Sequence, residues 1–271
     1  MDISTWLKDA TKQFKDIGID SNRLDAELIL SHTLRKPRTY LHAHLEEELE
    51  PRRKDVANAR LELRKERVPL AYIIGHKEFY GRRFKVTPAT LIPRPESEDM
   101  ISLFLELTAE EIVSKRLVDV GTGSGCLGIT AKLERPNLSV TLLDIDPKTL
   151  AVAQKNALQF NADILTQRSD LLAKYSLPVD YIFANLPYVD RSWNDLSPEL
   201  RNEPEKALFA DEGGLKLIKK LLPQAQKRLV SGGKLFIEAD PTQHSEVIRS
   251  AANAGLQHQT TRGYILLFAT D

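Results

Sequence analysis

From about Glu96 onward, short apolar runs rich in β-branched and aromatic residues alternate with segments of helical period. This alternation constrains the fold more than any other feature, because strands joined by helix-length crossovers pair in parallel beneath a cover of helices. The reading predicts a helix over 96–113, then the strand RLVDV ending in a glycine turn, GTGSG. A helix over 126–133, the strand SVTLLDID, a helix over 147–158 and a weaker strand near Ile164 follow. An apolar strand over 181–183 runs into a loop, a helix over 215–229 leads to the strand KLFIEAD, and a helix over 243–254 precedes a final apolar run, YILLFAT.

The first 75 residues read as helices. Trp6, Leu7, Ala10 and Phe14 recur at helical spacing, and Leu24, Ala26, Leu28, Ile29 and Leu34 form a second stripe behind the N-cap candidates Ser21 and Asn22. A third helix starts at Pro51, carries Val56, Ala57, Leu61 and Leu63 and runs to Arg67, with Pro69 interrupting beyond it. Residues 77–86 read as a β-hairpin turning near Gly81. The expected organisation is therefore a helical domain over 1–75, a β-hairpin linker over 76–95 and an α/β domain over 96–271.

Charge narrows the function classes. Lys and Arg number 38, as do Asp and Glu, and a zero net charge argues against stable nucleic-acid binding, which needs many uncompensated cations. Residues 51–85 are the exception, with 11 Lys or Arg against 4 Asp or Glu. The lone Cys126 allows no internal disulfide and no cysteine-based zinc site, and the six histidines lack ligand spacing, so no metal is assigned. The N-terminus carries charges every few residues, and nowhere do about 18 apolar residues run together, so a cytoplasmic protein without membrane contact is expected.

The turn Asp119-Val-Gly121-Thr122-Gly123-Ser124-Gly125 stands where a buried strand hands over to a helix. Glycines there let the backbone approach a ligand, and the helix start offers free N–H groups, so a nucleotide-like ligand belongs on it. Gly123, Gly125 and Gly128 also satisfy G-x-G-x-x-G, which leaves a dinucleotide open at this point. Asp144, closing the next strand, can accept from both hydroxyls of a ribose, whereas Asp146, just before Pro147, is the better helix cap. Asp170 can accept from an adenine amino group.

Asn185-Leu186-Pro187-Tyr188 follows an apolar strand, at the strand end where ligands bind in such sheets. This pattern suits methyl transfer to a planar, weakly basic nitrogen. In a carboxamide or an exocyclic aromatic amine the lone pair is delocalised, and the group is too weak an acid for a side chain to ionise. Two oriented oxygens that accept both N–H hydrogens raise charge on the nitrogen as it attacks. Asn185 supplies one oxygen through its side chain. Leu186 supplies the other through its carbonyl, held extended by Pro187, and Tyr188 can stack on the flat group.

The whole chain resembles the peptide-chain release-factor glutamine methyltransferases of the PrmC/HemK type. The segments that carry the likeness are LDAELILSHTL in the helical part, the RVPLAYIIGHKEFYGRRFKVTPATLIPRPESE connection, DVGTGSG, NLPY, Glu203-Pro204 with Ala207-Leu208, and EADPTQ. Ser97 stands where the family has threonine and keeps a hydroxyl; Leu186 stands where it usually has proline and keeps the carbonyl that the position contributes. The resemblance implies a class I, Rossmann-like α/β domain that uses S-adenosylmethionine, preceded by a small helical domain. It implies cofactor contacts at Asp119, Gly121, Thr122, Gly123, Ser124, Gly125, Asp144, Asp170, Leu171 and Asn185, with Asn185, Leu186, Pro187 and Tyr188 at the reacting centre. The implied substrate is the Gly-Gly-Gln glutamine of class-one release factors, held in part by the helical domain, whose arginines Arg52, Arg53, Arg60 and Arg64 are expected on that surface. Methylation of a ribosomal-protein glutamine, adenine-N6 methylation, an idle cofactor-binding subunit and a dehydrogenase remain competing readings.

Overall fold

A computed structural model describes residues 1–110, 113–194 and 196–271. The chain divides into two units, one of Met1–Gly75 with Ser197–Asn202, the other of His76–Leu196 with Glu203–Asp271.

The first unit contains α1 (Ile3–Asp16), α2 (Asn22–Leu34), α3 (Arg38–Ala43), α4 (Pro51–Lys65) and α5 (Leu70–Ile74). Helix α1 starts where the Asp2 side chain accepts from Thr5 N at 2.7 Å, and it buries Trp6, Leu7, Ala10 and Phe14 as expected. The stripe expected on α2 is corrected. Leu24 is 43% exposed, while Asp25 and Glu27 face inward beside Ala26, Ile29, Leu30 and Leu34. The acids are buried because arginines meet them. Arg64 Nε donates to Asp25 at 2.7 Å, and Arg23 and Arg38 both hold Glu27 at 2.6 Å. On α4, Val56 and Leu63 are likewise exposed and Ala57, Leu61 and Arg64 are buried. Arg64 also reaches Glu199 at 3.1 Å in the short 3-10 turn Pro198–Asn202. It is therefore an internal ion-pair partner and no part of a contact surface. Arg53 and Arg60 are tied to Leu34 O and Thr33 Oγ1.

The second unit opens on the hairpin β1 (His76–Phe79) and β2 (Arg82–Lys85), turned through Tyr80 and Gly81 at φ +49° and +70°. Two left-handed residues in succession give the turn whose twist matches the strands. Its Phe79 and Phe84 are buried in the core of this unit, so residues 76–95, expected as a linker, pack as part of it. Helix α6 (Glu98–Leu107) follows, shorter than expected: Thr108 caps it by donating to Phe104 O, and 111–112 lie outside the described residues.

Then come β3 (Arg116–Val120), α7 (Cys126–Glu134), β4 (Ser139–Asp144), α8 (Pro147–Gln159), β5 (Ile164–Arg168) and β6 (Val179–Ala184). They are followed by α9 (Glu205–Leu208), α10 (Lys216–Arg228), β7 (Leu229–Glu238), α11 (His244–Asn253), β8 (Gln257–Arg262) and β9 (Ile265–Ala269). The sheet order is β5-β4-β3-β6-β7-β9-β8. The first five strands are parallel, but β9 runs antiparallel between β7 and β8. The polar strand β8 escaped the sequence reading because its residues are almost all exposed. Phe104 of α6 meets Tyr181 and Phe183 edge-on at 5.2 Å, which fixes α6 against the middle of the sheet. No described helix is long and apolar enough to cross a membrane.

Candidate active site

The chain order turns back at β3: β4 and β5 lie on one side of it and β6 on the other. The turns after these four strands converge at their carboxyl ends, as expected at such a switch point. There they line a cavity of about 340 Å³, closed on another side by residues 89–97.

The glycine turn after β3 has φ +69° at Gly121, +57° at Gly123 and +83° at Gly125, a region L side chains avoid. At Gly123 the space around an added Cβ is open, whereas at Gly121 it is taken by the Leu186 side chain. Asp119 lies beneath the turn, its Oδ2 accepting from Thr122 Oγ1 at 2.6 Å and Gly128 N at 3.0 Å. Burial pushes its carboxyl up to about 6. Gly121, Thr122, Gly123 and Ser124 line the cavity, while Asp119 and Gly125 do not. Asp119 thus shapes the turn from below. Asn156 of α8, fully buried, ties the turn to the hairpin through Ser124 O at 2.8 Å and the Lys85 backbone.

Asp144 ends β4 at the cavity wall, where its carboxylate accepts from Gly123 N at 3.2 Å and Asp146 N at 2.9 Å. Burial raises its pKa against those hydrogen bonds. Asp146 caps α8 through Lys148 N, as the sequence indicated, and also holds Lys206 of α9. Asp170 and Leu171 line the cavity after β5, with Asp170 paired to Lys220 at 2.5 Å. Cys126 also faces it, but burial pushes its thiol up to about 12, which leaves it no nucleophile.

Asn185, Leu186 and Pro187 form the wall after β6. The Asn185 Nδ2 donates to Ser97 Oγ at 3.0 Å, and Ser97 Oγ donates to Glu238 Oε2 at 2.6 Å. The Tyr188 hydroxyl donates to Glu238 Oε1 at 3.2 Å. Its carbonyl accepts from Gln243 at 2.7 Å and abuts Gly214, where a Cβ would stand 1.9 Å from it. Tyr188 itself lies outside the cavity lining. Sequence reasoning assigned no role to Ser97, Glu238, or the pair Arg94 and Glu203, 2.6 Å apart at the rim. The motif segments PESE and EADPTQ contain two of them, but no spacing in a sequence links position 97 to 238.

Residues 5–75 match the PrmC N-terminal domain, and residues 99–209 match the methyltransferase small domain. The release factor glutamine methyltransferase of Koribacter versatilis is 40% identical over 265 residues, covering 93% of this chain and 92% of its own. That of Deinococcus radiodurans is 35% identical over 260 residues, covering 95% and 92%. Among solved structures, a methyltransferase from Pyrococcus furiosus superposes with a TM-score of 0.53 at 19% identity, over 78% of this chain and 96% of that one. The Thermus thermophilus 16S rRNA methyltransferase RsmC, in complex with AdoMet and guanosine, gives 0.55 at 18%, over 72% and 49%. At such identities these two speak for the fold alone.

Proposed function

We propose, because this chain belongs to the release factor glutamine methyltransferase family, that it transfers a methyl group from S-adenosylmethionine to the side-chain nitrogen of the Gly-Gly-Gln glutamine in class-one release factors. The observation that carries the reading is that the glycine turn and Asn185-Leu186-Pro187 wall the same cavity.

The residues fit the donor. Left-handed glycines leave the backbone bare at Gly123, and Asp144 stands beside them to accept from ribose hydroxyls. Asp170 and Leu171 serve the adenine end. Bound there, the donor supplies an electrophilic methyl on a sulfonium that leaves as a neutral thioether, so no acid or metal is needed to expel it.

The chain's own part is to position and polarise the carboxamide. Asn185 Oδ1 accepts one N–H and the Leu186 carbonyl accepts the other, so the nitrogen pyramidalises as it attacks, and once methylated and cationic it is strongly acidic and gives up one of those protons to solvent. Pro187 restrains Leu186 to extended backbone. Tyr188, its hydroxyl anchored on Glu238 beside the cavity wall, is the ring assigned to stack on the amide when the substrate enters. The helical unit contributes to holding the release factor, with Arg52 the one of its four named arginines that makes none of the internal ties described above. On this reading the enzyme works in the cytoplasm.

The test is incubation with labelled donor and purified release factors, intact and with the glutamine replaced. Label confined to the intact factor supports the reading, and label on neither ends it. Thermal shifts with S-adenosylmethionine but not NAD would remove the dehydrogenase alternative.

A further inference from the structure

We propose that Glu238, acting through the Ser97 hydroxyl, is a positioning residue that sets which end of the Asn185 amide faces the cavity. The inference rests on the reading of Asn185 as an acceptor for the substrate amide. It starts from a proton count. A serine hydroxyl has one proton to give and lone pairs to receive. The 2.6 Å separation of Ser97 Oγ from Glu238 Oε2 is that of a hydroxyl donating to a carboxylate. With its proton so engaged, Ser97 can only accept from Asn185. The Asn185 nitrogen is thereby drawn to Ser97, at 3.0 Å, and its oxygen is turned away from that contact.

Ser97 and Glu238 are 2% and 1% exposed, so bulk water does not compete for these bonds. Tyr188 gives its proton to the other Glu238 oxygen, so one carboxylate orients both an expected acceptor and an expected stacking ring. Without a carboxylate, the hydroxyl of Ser97 is free to turn toward Asn185 and favour the inverted amide, which would present N–H groups to a substrate that itself brings N–H groups.

The arrangement makes ionisation matter. Burial pushes the Glu238 carboxyl up to about 7, helped by the negative charge of Glu96 and opposed by hydrogen bonds from Ser97 and Tyr188. Other groups that act on this cluster are the Cys126 thiol on α7, which feels the charge of Glu238, and Tyr264 and Arg94, which act on Tyr188. Protonated Glu238 can donate to Ser97 and release the amide from its fixed direction.

The experiment uses the full chain, with Ser97→Ala, Ser97→Thr and Glu238→Gln. Three quantities are read: kcat with a release factor, the S-adenosylhomocysteine Kd by calorimetry, and the side-chain amide resonances of Asn185, assigned against Asn185→Ala. Ser97→Ala should lower kcat by roughly tenfold to a hundredfold, the scale of one mispositioned polar contact. Its Kd should stay within about threefold of the wild type, and Ser97→Thr should restore kcat. The wild-type kcat and Asn185 resonances should titrate together near pH 7, with kcat falling on the acid side, and Glu238→Gln should lose that titration. Ser97→Ala with wild-type kcat, a matching loss of S-adenosylhomocysteine binding, or an unchanged Asn185 titration in Glu238→Gln would overturn the assignment. If the wild type methylates no glutamine yet the resonances behave as described, the proposed function falls and the positioning role stands.

Discussion

A Cβ on Gly121 would stand 2.9 Å from Leu186 Cδ2, so the turn after β3 and the segment after β6 are fitted to one another. The fit couples the donor side of the cavity to the acceptor side. Gly121→Ala must hold a left-handed backbone, at a cost of about 1 kcal/mol, and also push Leu186 aside. It should lower the melting temperature by about 2–4 °C and weaken S-adenosylmethionine binding, read by calorimetry. Adding Leu186→Ala removes the collision and should return part of the affinity. Equal affinities in the single and double variants would show that the two segments are not coupled.

Asp119 makes a pH signature. Burial raises its folded pKa from 3.8 to about 6. Between those values the native state holds the proton more tightly than the unfolded chain, so this group's contribution to stability falls as pH rises from about 4 to 6 and is flat above. At 1.36 kcal/mol per unit the full span is ~3 kcal/mol. Asp119→Asn keeps an oxygen for Thr122 and Gly128 but has no charge to bury. The difference in melting temperature between variant and wild type should therefore shift in the variant's favour from pH 4 to 6. Parallel curves over that range would contradict the argument.

In the helical unit, Arg64 bridges buried Asp25 and Glu199. Arg64→Leu leaves Asp25 without its partner and should destabilise the unit by about 3 kcal/mol, measured by denaturant unfolding. Asp25→Leu added to it should recover much of the loss. For Glu199, burial would raise the carboxyl, but hydrogen bonds from Ser197 and Arg64 outweigh it and bring the pKa down to about 2. Its stabilisation is present above its ordinary value near 4.5 and is lost as pH falls toward 2. A Glu199→Gln variant should therefore differ from wild type at pH 6 and approach it near pH 2.

The parallel core of the sheet was legible because β3, β4 and β6 are near-continuous apolar runs followed by turn residues, and such runs have few other uses. The cap at Asp146 and the hairpin turn at Gly81 were legible from local chemistry alone. What failed was long-range. The apolar stripe expected on α2 omits Asp25 and Glu27, because a sequence does not show the arginines that come to meet them. Strand β8 has no apolar face to announce it, and its pairing with β9 decides it. Within the site, residues on the strand-end turns followed from position, whereas the contact of Ser97 with Glu238 joins positions 141 residues apart. Asp119 sits in the motif yet points under the turn, a distinction that only side-chain direction reveals.

The grip on the carboxamide is tested most directly by a crystal structure of the chain with S-adenosylhomocysteine and a Gly-Gly-Gln peptide. The glutamine nitrogen should lie within about 3 Å of both Asn185 Oδ1 and the Leu186 carbonyl. A well-ordered glutamine whose nitrogen is held by neither oxygen would contradict the account.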